Sequence, residues 1–400
     1  MKTTRMFLVA LAALGMAACS NNDEIPGMNN DGTKSMYLKF EGLSSETSSR
    51  AIEAAQTAGA IAFTNIRVYF ANAAGVIQKT ENLDNTSDDW STIGTTGHIF
   101  HNIPNSVEQV YVVGNAKDKD IPSVTDKSTN ISVVKNQALQ VASEQTFGNV
   151  ILFGEDTQIT PAKGISDPEE GHDYLYEADV TLAPFVSRFE VKGIQCEDLT
   201  GSKYKKIVLE AIGLMDYNNK FTLGGAASEE MTITNVLEPG STATKGSYIF
   251  GETTDEQNGA YTNYSWAWDK ITSTNSSLTT LTKNDDICNP NENKYFVYQF
   301  SPKQITGNKN VQIKLALDAY TDETTKDPFG AVVTAKFQKQ GEDGKLVDLA
   351  SFETGKIYRI DSYKFKVENV KPWNPDEEIC VNVVVKVKSW EIIPLTPVFE

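Results

Sequence analysis

Three histidines, His98, His101 and His172, are the only imidazoles the chain can bring to catalysis or to a metal. His98 and His101 flank Ile99-Phe100 in a strand-like stretch, where a spacing of three puts them on opposite faces, so they do not form a metal pair. Cys196, Cys288 and Cys380 lie far apart with no CxxC or CxH cluster, which excludes a zinc spacing and reads as buried thiols with at most one disulfide. No GxSxG elbow, HExxH helix, P-loop or dinucleotide fingerprint occurs. The 53 carboxylates are abundant but give no position for a glycosidase-like pair, whose members can be remote in sequence. An EF-hand counted from Asp118 through Asp120 and Asp126 fails, because Ser123 stands at the central glycine and Thr129 at the terminal glutamate. Trp266 and Trp268, with Tyr261 and Tyr264, could line a sugar-binding face, though aromatics at strand spacing more often fill a core. The expectation is a protein that is not an enzyme, with no catalytic residue, cofactor or metal site.

The chemistry the sequence does carry is done to it. Lys2 and Arg5 precede Met6–Ala18, thirteen residues without a charge, and Ala17-Ala18-Cys19 then follows. This pattern is a secretory signal, and small residues directly before a cysteine resemble a lipobox, so Cys19 is expected to be acylated and to tether the protein without spanning the bilayer. The second modification is a cut. Against 31 lysines there are five arginines. Arg5 leaves with the signal, and Arg67, Arg188 and Arg359 sit inside apolar strand patterns, where folded backbone resists a protease. Arg50 instead ends the polar run Ser44-Ser45-Glu46-Thr47-Ser48-Ser49-Arg50, an exposed segment of the kind proteases cut. An arginine-specific protease would make Ala51 the new first residue.

The elements around these sites read mainly as strands. Residues 20–34 are polar and read as a tether. Met36, Leu38 and Phe40 alternate with Tyr37, Lys39 and Glu41 as a period-two leader strand. After Arg50 the pattern predicts strands at Phe63–Phe70, Val107–Val113, Ile151–Phe153, Tyr176–Leu182, Phe185–Ile194, Lys206–Met215, Tyr295–Phe300, Val311–Leu317, Ala331–Phe337, Lys356–Val367 and Val381–Trp390. Val311–Leu317 reads as half-buried, and Ser132–Phe147 as a short helix. The fold class is all-β, two β-sandwiches meeting at Pro184: residues 1–19 signal, 20–50 leader, 51–184 first domain and 185–400 second. A net charge of −17, unchanged by losing residues 1–50 with their five acidic and five basic side chains, argues against nucleic acid.

Removing a strand from a sandwich leaves a groove and two unpaired edges, which bind another extended segment. A candidate donor is the almost uncharged stretch 389–400, with Ile393, Leu395, Val398 and Phe399, whose two prolines suit it to neither a helix nor a central strand. A tail of one copy in the groove of the next is a heterologous contact, and such contacts build filaments when they do not close.

Together the lipobox at Cys19, the leader strand with Arg50-Ala51, Val110-Tyr111-Val112-Val113-Gly114-Asn115-Ala116, Pro184-Phe185-Val186-Ser187-Arg188-Phe189-Glu190-Val191, Gly355-Lys356-Ile357-Tyr358-Arg359-Ile360 and Val383-Val384-Val385-Lys386-Val387-Lys388-Ser389-Trp390 resemble the fimbrillin family, the shaft subunits of Bacteroidales (type V) pili. Gly114 stands where that family's pattern has alanine. The resemblance implies two transthyretin-like β-sandwich domains and an outer-membrane lipoprotein precursor. It further implies an extracellular fimbrium polymerised by donor-strand exchange and supporting adhesion. Its implied partners are further copies of the chain, anchor and tip subunits, the maturation protease and a surface receptor. A tip adhesin shares much of this design. A carbohydrate-binding lipoprotein of a glycan uptake system is the alternative that would keep Cys19 acylated and use Trp266 and Trp268.

Overall fold

The computed structural model describes residues 32–38, 52–53, 64–87, 90, 97–116, 121–145, 150–163, 175–215, 217–218, 220–225, 232–233, 267–302, 311–327, 330–372, 380–384 and 386–389. These residues are mainly β. A first sandwich is built of two sheets. Its four-stranded sheet runs in the order His98–Pro104, Thr33–Leu38, Leu175–Ala178, Thr160–Pro161. The facing five-stranded sheet runs Ala183–Pro184, Leu152–Asp156, Val107–Gly114, Asn65–Asn72, Ile77–Asp84. Valines, isoleucines and aromatics alternate along these strands, and their inward faces meet: Phe70 of one sheet packs edge-on against Phe100 of the other at 5.4 Å.

The second sandwich sets Tyr295–Phe300, Ser187–Val191, Lys356–Ile360 and Lys386–Ser389 against a larger sheet centred on Lys206–Met215, Gln312–Tyr320 and Gly330–Gln340. Its core is aromatic. Phe189 stacks on Phe300 at 4.4 Å and on Phe337 at 5.2 Å, with Phe352 edge-on at 5.3 Å and Tyr358 tilted at 6.0 Å.

Several sequence expectations are corrected by tertiary context. The helix expected over Ser132–Phe147 is a single turn, Ser132–Lys135, that stops at Asn136. The chain then forms Ala138–Gln140, paired with Lys220–Thr222, and a 3-10 turn Val141–Gln145, so long-range pairing overrides local propensity. The continuous strands expected at Phe185–Ile194 and Lys356–Val367 both break, and they break side by side. Ser187–Val191 runs parallel to Lys356–Ile360, and after the corner Ile194–Glu197 runs parallel to Tyr363–Lys366 in another sheet. Gly193 makes the corner at φ +70, where a Cβ would strike the Asp361 carbonyl. Val381–Trp390 likewise divides, into Cys380–Val384 and Lys386–Ser389 in different sheets. The strand expected to be half-buried, Gln312–Tyr320, is buried on both faces: Lys314 is 0% exposed and Asp318, paired with Lys326 at 2.6 Å, is 4% exposed.

Candidate functional site: a groove filled by the leader strand

The strand that the sequence reads as a leader is Thr33–Leu38, starting three residues earlier than its period-two pattern suggested, and it includes Thr33 and Lys34 that read as tether. It sits inside a sheet, antiparallel to His98–Pro104 on one side and parallel to Leu175–Ala178 on the other. Strands in a sheet stand about 4.8 Å apart, so without it those two walls would be separated by roughly 10 Å and would each expose unpaired backbone groups. Met36 and Leu38 are fully buried, Met36 opposite Phe100. Burial of each contributes about 1.5–3 kcal/mol.

Two polar side chains complete the fit. Lys34 and Ser35 are each only 7% exposed. Lys34 Nζ donates to the Val107 carbonyl at 2.5 Å and to the Asn105 carbonyl at 3.4 Å, and lies 4.3 Å from the centre of the Tyr176 ring. Burial lowers its pKa to about 8, with the Glu108 carboxylate pulling the other way. Ser35 Oγ shares a hydrogen bond with His101 Nδ1 at 3.1 Å. This contact falls at a bulge, where the pairing register shifts between Lys34 and Met36 and Asn102 adopts φ 57. On the other face, a Cβ at Gly97 (φ +84) would come within 2.5 Å of the Tyr37 ring, so that position needs glycine.

Beyond Leu38 the chain is next described at Ile52–Glu53, which pairs antiparallel with Phe296 and Tyr295 on the second sandwich. The link 39–51 therefore joins a strand of one sandwich to a strand of the other, and it contains Phe40, Arg50 and Ala51, which lie outside the described residues. Cys19, Ile393, Leu395, Val398, Phe399, Tyr261, Tyr264 and Trp266, and Asp118 and Asp120, lie outside them too. Arg67, Arg188 and Arg359 are in strands. Arg67 Nε donates to Asn82 Oδ1 at 2.8 Å. Arg188, 0% exposed, and Arg359 converge on the buried Glu190 carboxylate, at 3.0 Å and 2.6 Å.

The other candidates resolve separately. His98 packs edge-on against Phe100 at 4.5 Å while His101 meets Ser35, so the two imidazoles do not converge. Asp126 accepts a hydrogen bond from Thr80 at 3.0 Å. Cys196 and Cys288 are buried free thiols whose pKa burial pushes up to about 12. Among the described residues no cluster of three His, Cys, Asp or Glu could hold a metal, and no helix is long and apolar enough to cross a membrane. Sequence reasoning missed Lys34, Ser35 and Tyr176. A lysine inside a polar run carries no signal of burial; only the bulge and the facing carbonyls create it.

No family model matches the chain, and no curated protein matches it. Solved structures do. A candidate cell adhesion protein from Bacteroides eggerthii DSM 20697 superposes with TM-score 0.51 at 12% identity, covering 91% of this chain and 98% of its own. A second adhesion candidate, from Parabacteroides distasonis ATCC 8503, gives 0.49 at 12% identity over 90% and 100%. A fimbrilin from Porphyromonas gingivalis W83 gives 0.47 at 9% identity over 91% and 99%. The first of these likenesses establishes a shared fold along nearly the whole chain, that of a β-sandwich protein.

Proposed function

We propose that the chain is a structural subunit of a cell-surface fimbria. It is exported as a lipoprotein acylated at Cys19 and cut after Arg50. It then polymerises as the tail of one copy, through Ile393, Leu395, Val398 and Phe399, takes the groove the leader leaves in another. In this reading residues 51–184 and 185–400 are its two domains. Its partners are other copies, anchor and tip subunits, an arginine-specific protease and a surface receptor, and it passes from the outer membrane to the extracellular fimbrium. The observation that carries the reading is the position of Thr33–Leu38. A strand walled by neighbours on both sides, whose link 39–51 holds the one arginine outside an apolar strand pattern after the signal, is a strand whose removal opens a slot of strand width. The fold shared with a candidate adhesion protein supports it.

Sequencing the N-terminus of surface-extracted protein tests the maturation step: Ala51 is expected, whereas acylated Cys19 on the mature form would favour a tethered glycan binder. Arg50→Ala should leave a folded monomer, and deletion of Ile393–Glu400 should permit maturation but stop filament growth. High-mass ladders on unheated gels from the deletion variant would overturn the exchange step.

A further inference from the structure

The two polar contacts in the groove are made by adjacent residues, Lys34 and Ser35, and both have fixed partners: the Val107 and Asn105 carbonyls for the amine, His101 for the hydroxyl. Buried polar pairs of this kind contribute little net stability but penalise any other alignment, and a strand that slips by one residue turns every side chain to the wrong face. An occupant with an apolar residue in place of Lys34 would leave the two carbonyls facing it without that donor. The groove is thus selective for lysine followed by serine, with apolar residues two and four positions after the lysine.

The chain contains three Lys-Ser dipeptides, at 34–35, 127–128 and 388–389. The one at 127–128 is followed by Thr129 and Ile131, so it lacks the apolar residue at the second position. The one at 388–389 continues Trp390-Glu391-Ile392, matching Lys34-Ser35-Met36-Tyr37-Leu38 at four of five places, amine, hydroxyl, apolar and branched aliphatic, with a carboxylate where Tyr37 stands opposite Glu177. We propose that Lys388-Ser389-Trp390-Glu391-Ile392 of a second copy takes the places of Lys34–Leu38, so that the lysine and serine set the register of subunit joining. This rests on the strand-exchange reading and moves the start of the donor upstream of Ile393. Lys388 and Ser389 are the last two residues of Lys386–Ser389, paired with Ile357 and Lys356, so the exchange unzips only two rungs at one end of that strand.

The test uses the full chain cut after Arg50, with a fluorescent peptide of residues 32–40 as probe. Rebinding of that probe establishes the groove; if it does not rebind, the strand-exchange reading falls and this inference falls with it. Where it does rebind, a peptide of residues 386–394 should displace it. The same peptide with Lys388→Met should displace it at least tenfold less well, and with Ser389→Ala severalfold less well. A peptide of residues 392–400 should compete poorly. Equal competition by the Lys388→Met peptide, or stronger competition by 392–400, overturns the register assignment while leaving strand exchange intact. In the full chain, Lys388→Met should slow polymerisation with an unchanged unfolding temperature, and Lys388→Arg should restore part of the rate. Polymerisation of Lys388→Met at the parent rate overturns the proposal.

Discussion

The two sandwiches contain the same slot filled in two different ways. In the first, Thr33–Leu38 lies between an antiparallel neighbour, His98–Pro104, and a parallel one, Leu175–Ala178. In the second, Ser187–Val191 lies between an antiparallel neighbour, Tyr295–Phe300, and a parallel one, Lys356–Ile360. The strand of the second sandwich is in mid-chain and is tied from both faces: Phe189 reaches four aromatic rings, and on the opposite face Glu190 holds Arg188 and Arg359. The leader strand is held by Met36, Leu38 and the Lys34–Ser35 contacts. One slot is built to keep its strand. The other, on the proposed reading, recognises a strand that can be exchanged.

The largest expected effect lies in the permanent slot. Glu190→Ala removes the carboxylate shared by two guanidiniums and leaves Arg188, 0% exposed, facing none there. Breaking a buried ion pair from one side costs about 3–5 kcal/mol. Urea unfolding of precursor and mature forms should show this loss equally in both. A loss confined to the precursor would mean that the two slots are coupled and the contrast between them is wrong.

Next in size is Leu38→Ala, which removes a fully buried side chain from the replaceable strand. Leu→Ala in a core costs about 2–5 kcal/mol. On the proposed exchange, the cost should appear in the uncut precursor and vanish in the assembled polymer. Hydrogen exchange should report the same asymmetry. Amides of His98–Pro104 and Leu175–Ala178 should lose protection on cutting and regain it on assembly, while Lys206–Met215 stays protected throughout. Persistent protection of both walls in a cut, unassembled monomer would show that the leader does not vacate the groove.

How much of this was legible in the sequence follows from where the information resides. Met36 and Leu38 announce themselves because alternation along a strand is local, and Lys206–Met215 and Tyr295–Phe300 appear with their expected bounds for the same reason. The coordinated break at Gly193 and Asp361 was not legible, because each strand pattern continues through it and only the close approach of the two backbones forces the corner. Lys34 was hidden for a related reason: its buried character belongs to the carbonyls of Asn105 and Val107, more than seventy residues away. Alternation gives a strand's faces, but its neighbours decide whether one face or both are covered, which is why the pattern over Val311–Leu317 reads as half-buried while the strand Gln312–Tyr320 is covered on both faces.

Lys34 also gives the first slot a pH dependence. Its docked pKa of about 8 lies below the ordinary lysine value of 10.5. Below pH 8 docked and released strands are both charged, and the burial cost is felt in full. Between about 8 and 10.5 the docked amine gives up its proton while the released one keeps it, so docking strengthens as pH rises. Each pKa unit corresponds to about 1.4 kcal/mol, so the gain is bounded at roughly 3 kcal/mol. The neutral amine still donates to Val107, so the register contact survives. Binding of the 32–40 peptide to cut protein should tighten across this window, and Lys34→Met should flatten the response. A tightening that persists in Lys34→Met would assign it to another group.

The smallest effect concerns the place where the two sandwiches meet. Gln145, in the connection between Val107–Gly114 and Leu152–Asp156 of the first sandwich, donates Nε2 to the Gln299 carbonyl at 2.8 Å and accepts the Gln299 N–H at Oε1 at 2.9 Å. These are the two contacts a paired strand residue would make, placed beyond Ile52–Glu53 on the same edge of Tyr295–Phe300. Side-chain amide and short strand together close an edge that would otherwise invite a foreign strand. Gln145→Ala leaves both Gln299 backbone groups without those partners in a buried site, a cost of about 1–3 kcal/mol. Because the clamp joins the sandwiches, the loss should appear as reduced cooperativity, with the unfolding transitions of the two sandwiches separating in calorimetry. If the mutation lowers stability while the transition stays single and sharp, the clamp only protects the edge, and the sandwiches are coupled through the rest of their shared core.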